Sequence, residues 1–255
     1  MNKYVKTAVI TARGQLNSGV VYLLPGIFIR MLTLITLTFL WRVIMSAGAN
    51  VGMSLGQMLT YAYASALLTD MLAVNTPAGS WLSEGSLQTI YGRPMTLFGQ
   101  LAAQTVGGWI PGLLFFSLPM ALFSPVIGVS LIPMSPLFLF SLLLCVLLGF
   151  ALDFLFACLS IKLRNMSWMI GRIRTAIMAM FSGTVIPIKL LPFGLAAVMQ
   201  YQPFASLGGS VLSVMVGSAD TAKVLMLQVI WNLILWPLAL FTFHKSQEGL
   251  VSYGG

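Results

Sequence analysis

The chain has 255 residues, of which 58% are hydrophobic and only 7% charged, with a formal net charge of +8 and a mean hydropathy of +0.96. A water-soluble domain carries about 25% charged residues, so a soluble enzyme or a soluble binding module is excluded and the bilayer is the solvent. Long apolar runs with few charges predict one all-α integral membrane domain over residues 1–255, because barrel strands would alternate apolar and polar, and runs such as Leu137–Leu148 do not.

In chain order, Met1–Ser18 comes first. Val5, Val9, Ala12 and Leu16 share one helical face and Lys3, Lys6 and Arg13 lie elsewhere, the pattern of an amphipathic helix in the membrane interface. The first apolar run continues into a full span and is therefore read as span one, Gly26–Ser46, not as a cleaved leader. A span needs about 20 mostly apolar residues. Five more follow: Gln57–Val74, Leu97–Phe123, Pro136–Ile161, Trp168–Ile186 and Val224–Phe243.

Between spans one and two, Gly52-Met53-Ser54-Leu55-Gly56 matches the nucleophile elbow of hydrolases. That motif needs a strand before it, a helix after it and a histidine partner. The sole histidine, His244, is predicted at the opposite side of the membrane, so the match is read as chance. The same residues, and Gly108 with Gly112 in span three, spell the small-residue spacing that lets helices approach closely. Between spans two and three, Ser80–Tyr91 reads as a short helix with Trp81, Leu82, Leu87 and Ile90 apolar and Glu84 and Gln88 polar, stopped by Pro94.

Cys145 and Cys158 both fall in span four, about 20 Å apart along a helix, too far for a bond between them. Asp153, in the same span, precedes Lys162 by nine residues, which puts it about 13 Å into the membrane. A lone carboxylate at that depth is costly and is normally paired. Spans four and five form a hairpin around Arg164-Asn165, and counting down the second arm makes Arg172 and Arg174 the nearest bases. They point to different helix faces, so one of the two pairs with Asp153. Asp70, near the inner end of span two, reaches the interface by snorkelling. Between spans five and six, Ile188–Met215 is too long for an ordinary connection and too apolar for a solvated one. Pro187, Pro192 and Pro203 divide it into short helices that dip into the outer leaflet.

Basic residues orient the bundle. With the N-terminus inside, Lys3, Lys6, Arg13, Arg30, Arg93, Lys162, Arg164, Arg172, Arg174 and Lys245 lie at cytoplasmic ends, and only Arg42, Lys189 and Lys223 at outer ends. Both termini are therefore expected in the cytoplasm, and the positive charge reads as topology rather than as a nucleic-acid surface. No His, Cys, Asp and Glu cluster has metal spacing, and no phosphate loop is present, so neither a metal nor a nucleotide is expected on this chain.

Two segments carry a family resemblance. Glu84-Gly85-Ser86-Leu87, ending at Arg93-Pro94, resembles the Glu-x-Gly-Ser/Thr-Leu…Pro stretch of type-2 ABC exporter permeases. Ser182-Gly183-Thr184-Val185-Ile186-Pro187, followed by Leu191-Pro192 and Gln202-Pro203, is similar to that family's Ser-Gly…Pro…Pro pattern after the fifth span. The length, the six spans and the N-terminal interfacial helix match along the whole chain, most nearly to the smaller bacterial permeases. The resemblance implies a permease of the bacterial inner membrane that pairs with a second copy or a paralogous permease. Two separate ATP-binding subunits would hold the ATP and magnesium, so this chain is not itself an enzyme. Glu84, Gly85, Leu87, Arg93 and Pro94 would belong to an inner coupling helix that meets an ATPase, and the prolines at 187, 192 and 203 to an outer re-entrant cap. The exported substrate would be hydrophobic or amphiphilic, such as a drug, a lipid-linked molecule or a peptide. Thr33, Thr36, Thr38, Thr60 and Thr175 would add hydroxyls to an apolar path. A secondary transporter not driven by ATP, or a membrane assembly factor, is the competing reading. The former calls for inverted repeats and broken helices at mid-depth, and no repeat is visible. The latter, like a membrane-embedded enzyme, calls for a polar catalytic cluster.

Overall fold

The structure is a computed structural model that describes residues 2–17, 20–48, 52–83, 90–162 and 167–251. Among them there are helices and connecting turns and no strand. Four helical stretches are long and apolar enough to cross a membrane: Leu23–Ser46, Leu97–Ile127, Phe138–Ser160 and Thr221–Ser246. The chain is an all-α, membrane-embedded protein.

The N-terminal helix α1 (Lys3–Asn17) is followed by α2 (Val20–Ser46). The helix expected over Gln57–Val74 is broken into α3 (Leu55–Leu67) and the single turn α4 (Thr69–Leu72). The break is at Leu68, whose φ of −97° and ψ of 10° leave the helical region. The Leu67 carbonyl turns outward and accepts from the Ser117 hydroxyl at 2.7 Å. Ser117 closes the π-helical segment Leu113–Ser117, which joins α6 (Leu97–Gly112) to α7 (Leu118–Phe123) between Pro111 and Pro119. Proline removes a backbone donor, and a local π turn is one way for a helix to continue past it. Two irregularities in neighbouring helices therefore satisfy each other, as polar backbone away from water must.

After α5 (Ala78–Ser83) and α6, the central helix α8 (Phe138–Lys162) and the shorter α9 (Ser167–Phe181) follow. α9 ends five residues before the expected Ile186, because Gly183 turns the chain at φ +76°. The Arg164-Asn165 turn lies outside the described residues. The cap consists of a 3₁₀ turn (Ile188–Leu190), α10 (Leu195–Met199) and α11 (Gly208–Met215), and the chain ends in α12 (Thr221–Val251).

α8 is the hub. α12 runs parallel to it, joined at one end by Ser141 and Gln228 and further along by Phe154 and Phe243, whose rings are 4.7 Å apart. Gln228 is fully buried. Its Oε1 accepts from the Ser141 hydroxyl at 2.9 Å, and its Nε2 donates to the carbonyls of Ser141 and Ser206. One side chain in an apolar helix thus ties α8, α12 and the chain entering α11. Tyr61, Tyr63, Leu148, Leu207 and Leu212 fill the core between α3, α8 and α11. Both cysteines are free and buried, as their spacing requires.

α1 forms as expected, and part of its surface packs on α6. Val5 is 50% exposed and Val9 and Leu16 are half-buried. The side facing α6 carries Tyr4, Ala8, Thr11 and Gln15, set against Gly99, Gly107 and Gly108. Glycines let the two backbones come so close that a Cβ on Gly107 would meet the Ala8 carbonyl. Close approach therefore selects small and hydroxyl-bearing residues for the contact, and the aliphatic side chains turn away from it.

Candidate functional site

Elements from the whole length of the chain meet at the loop Val74–Pro77, which leaves α4 and enters α5. Asp153 of α8 and Arg174 of α9 grip this loop. Their side chains form an ion pair, Nε to Oδ1 at 3.1 Å, and the two residues are 5% and 8% exposed. The second carboxylate oxygen accepts from the Thr76 backbone N–H at 2.9 Å and from the Thr76 hydroxyl. That hydroxyl in turn accepts from the Ala78 N–H at 3.1 Å, at the start of α5. Arg174 Nη1 donates to the Asn75 side-chain oxygen at 3.1 Å, and Nη2 donates to the Val74 carbonyl. Each ion thus meets the other and also loop dipoles, the condition under which a buried pair is tolerated.

The pairing expected for Asp153 is present, and it selects Arg174. Arg172 is exposed, as the two-residue offset on a helix requires. The reading of Asp70 as a snorkelling surface charge is corrected. Asp70 forms a two-pronged pair with Arg30 of α2, at 2.7 and 2.8 Å. The break at Leu68 swings α4 so that the carboxylate meets α2. Gly112 of α6 leaves room for the pair, since a Cβ there would fall within about 3 Å of both partners. Arg30 also lies over the Phe116 ring, 6.0 Å from its centroid.

A cavity of about 310 Å³ opens beside Asp70 and the Val74–Pro77 loop. Asp70 and Asn75 border it, with Thr11 and Gln15 of α1 and Gln104 and Thr105 of α6. Its lining is polar in a chain that is 58% hydrophobic.

The turn after the 84–89 stretch is held just as firmly. Gln100, 1% exposed, donates to the carbonyls of Ile90 and Met95 at 3.1 and 3.2 Å. Lys3 donates to the Pro94 carbonyl, and the Tyr4 hydroxyl lies 3.4 Å from that of Thr96. Arg93 is exposed beside this anchor. Glu84, Gly85 and Leu87 lie outside the described residues.

At the opposite end of the bundle, Ser182-Gly183-Thr184 is fastened to α3. Tyr61 donates to the Gly183 carbonyl at 2.5 Å and Ser65 to that of Thr184 at 2.8 Å. The Gly209 N–H closes on the Ser182 carbonyl at 2.7 Å. Pro187 precedes the 3₁₀ turn, the Pro192 carbonyl accepts from Leu195, and Pro203 lies in the turns leading to α11. The prolines divide the segment where expected.

The threonines expected along one path do not meet. Thr60 is buried and donates to the Ser130 carbonyl, whereas Thr33, Thr36 and Thr175 are exposed. The elbow-like Ser54 is a helix cap: its hydroxyl accepts from the Gln57 N–H at 3.2 Å, and Gln57 Oε1 accepts from the Ser54 N–H at 2.9 Å. No group of His, Cys, Asp and Glu suited to a metal occurs among the described residues.

Sequence reasoning passed over Asn75, Thr76, the Arg30–Asp70 pair and Gln228. The signal for the first two was the polar Asn75-Thr76 step directly after an apolar span. For Arg30 and Asp70 it was an acid near the inner end of span two facing a base near the inner end of span one. No protein-family model matches the chain, and no curated protein matches it.

Proposed function

We propose that this chain is the transmembrane permease subunit of an ATP-driven exporter, working with a second permease and two ATP-binding subunits. It would move a hydrophobic or amphiphilic molecule out of the cytoplasm across a bacterial inner membrane. One observation carries the reading: the segment that bears the Glu84…Pro94 resemblance is anchored at both ends. Asp153 and Arg174 hold the loop that enters it, and Lys3 and Gln100 hold the turn that leaves it. A load applied between two such anchors passes into α8, α9 and α1 rather than dissipating in a loose loop, which is what mechanical coupling requires. The chain carries no phosphate loop of its own, so in this reading the energy enters from a partner.

A secondary transporter is the second reading, favoured by the buried Asp153 carboxylate and by the polar cavity that Asp70 borders. The two are separated by isolating the tagged chain from its native membrane. An ATP-binding subunit should copurify with it, and Glu84→Lys should weaken that association. Isolation of the chain alone under mild detergent, with transport supported by an ion gradient, would favour the second reading.

A further inference from the structure

The end of the bundle that carries the cap holds a second cavity, of about 370 Å³, between the cap and the start of α12. Its walls are of two kinds. Ile188, Val224 and Leu227 make an apolar side, and Lys189 and Lys223 stand at a polar one. Neither ammonium has a carboxylate partner among the described residues. Lys223 donates to Gln200 Oε1 at 3.0 Å and to the Tyr201 hydroxyl at 3.1 Å, and it lies over the Tyr201 ring. Lys189 donates to the Ser218 carbonyl. Each ammonium has three donors, so these neutral acceptors aim the two groups and leave donors and positive charge over. The one acidic residue of the lining, Asp220, is engaged elsewhere: its Oδ1 accepts from the Ala222 and Lys223 N–H groups at the start of α12.

We infer that this cavity holds the phosphate headgroup of an anionic membrane lipid. Lys189 and Lys223 would bind the phosphate oxygens, and the lipid chain would leave along Ile188, Val224 and Leu227. A free phosphate offers the same oxygens, but three observations favour a lipid. The apolar wall would have no role with a free ion. Tyr201 accepts at its carbonyl from the Trp231 indole N–H at 2.9 Å, and Tyr and Trp concentrate at the depth of lipid headgroups. Phe193, at the tip of the cap, is 97% exposed with φ +60°, and a bare aromatic ring held in a left-handed turn gains most by entering the lipid boundary. The inference is independent of the ATP-driven reading.

The test uses the full-length protein, delipidated in detergent and mixed with phosphatidylglycerol, phosphatidylcholine or inorganic phosphate. Retention is read by native mass spectrometry and stabilisation by thermal unfolding. Phosphatidylglycerol should be retained in preference to phosphatidylcholine and should raise the melting temperature, and inorganic phosphate should do neither. The pair Lys189→Gln and Lys223→Gln should weaken phosphatidylglycerol binding by about tenfold. Lys189→Gln alone, at an exposed position, should give a smaller loss in the same direction. Removing the same charge at the other end, with Lys6→Gln and Arg13→Gln, should leave the preference intact. Equal retention of the two lipids, an unchanged preference in the lysine variants, or an equal loss in the control pair would overturn the site. Stabilisation by inorganic phosphate matching that by phosphatidylglycerol would overturn the lipid assignment.

Discussion

At the scale of residues, the energetics concentrate where a charge is enclosed. Asp153 and Arg174 serve one loop, so removing either leaves the other buried with only dipoles around it. Asp153→Asn and Arg174→Gln should each lower stability by about 3–5 kcal/mol, whereas Arg172→Gln should change it by less than about 0.5 kcal/mol. Unfolding of the three variants in one detergent checks this. A melting temperature unchanged in Asp153→Asn, or a fall in Arg172→Gln as large as that in Arg174→Gln, would sink the assignment. The need for a partner to Asp153 was legible in the sequence, because a carboxylate in an apolar helix has few alternatives. The choice between two arginines was not. It depends on the rotation of α9 about its axis, which no count along the chain supplies. The partner of Asp70 was missed for a related reason: the helix breaks at Leu68, where the Leu67 carbonyl is taken by a hydroxyl fifty residues away in sequence.

At the scale of elements, long apolar helices were legible and interrupted ones less so. The first, third, fourth and sixth expected spans fall on α2, α6–α7, α8 and α12, because a long apolar run identifies itself. The segment at 55–72 is interrupted and that at 167–181 is shorter than its hydropathy suggested, since the Leu68 break and Gly183 act locally and leave mean hydropathy untouched. The face by which α1 packs on α6 was not legible, because apolar periodicity marks the lipid-facing side and close approach to glycines leaves no such pattern. Gly107→Leu should therefore push α1 off α6. The side chain would have to occupy the space of Ala8 and Thr11, and strain of that kind commonly costs about 1–3 kcal/mol. A cysteine placed at the buried Ala12 should react slowly with a water-soluble maleimide in the parent and at least several-fold faster in the Gly107→Leu background. Equal rates would show that α1 does not depend on that contact.

At the scale of the whole molecule, the two ends differ in kind. One end gathers anchored backbone around the entry and exit of the 78–95 segment. The other gathers short cap helices and a lysine-bearing cavity. The distribution of basic residues leads to the expectation that the first end faces the cytoplasm. In intact cells a membrane-impermeant thiol reagent should therefore label Ser130→Cys from outside and leave Ser252→Cys unlabelled, and the reverse pattern would invert the orientation. What stayed illegible at this scale is the substrate, because the threonines read as one path are divided between the core and the surface of the single chain. The central claim is that force from a separate ATPase enters through the anchored segment. The most direct measurement is transport in proteoliposomes of the isolated complex, using a lipophilic dye as reporter substrate and following ATP hydrolysis in parallel. The account predicts that transport requires ATP, and that Glu84→Lys abolishes it while the complex retains at least part of its ATP hydrolysis. Transport by the chain alone, driven by an ion gradient with no ATP-binding subunit present, would contradict it.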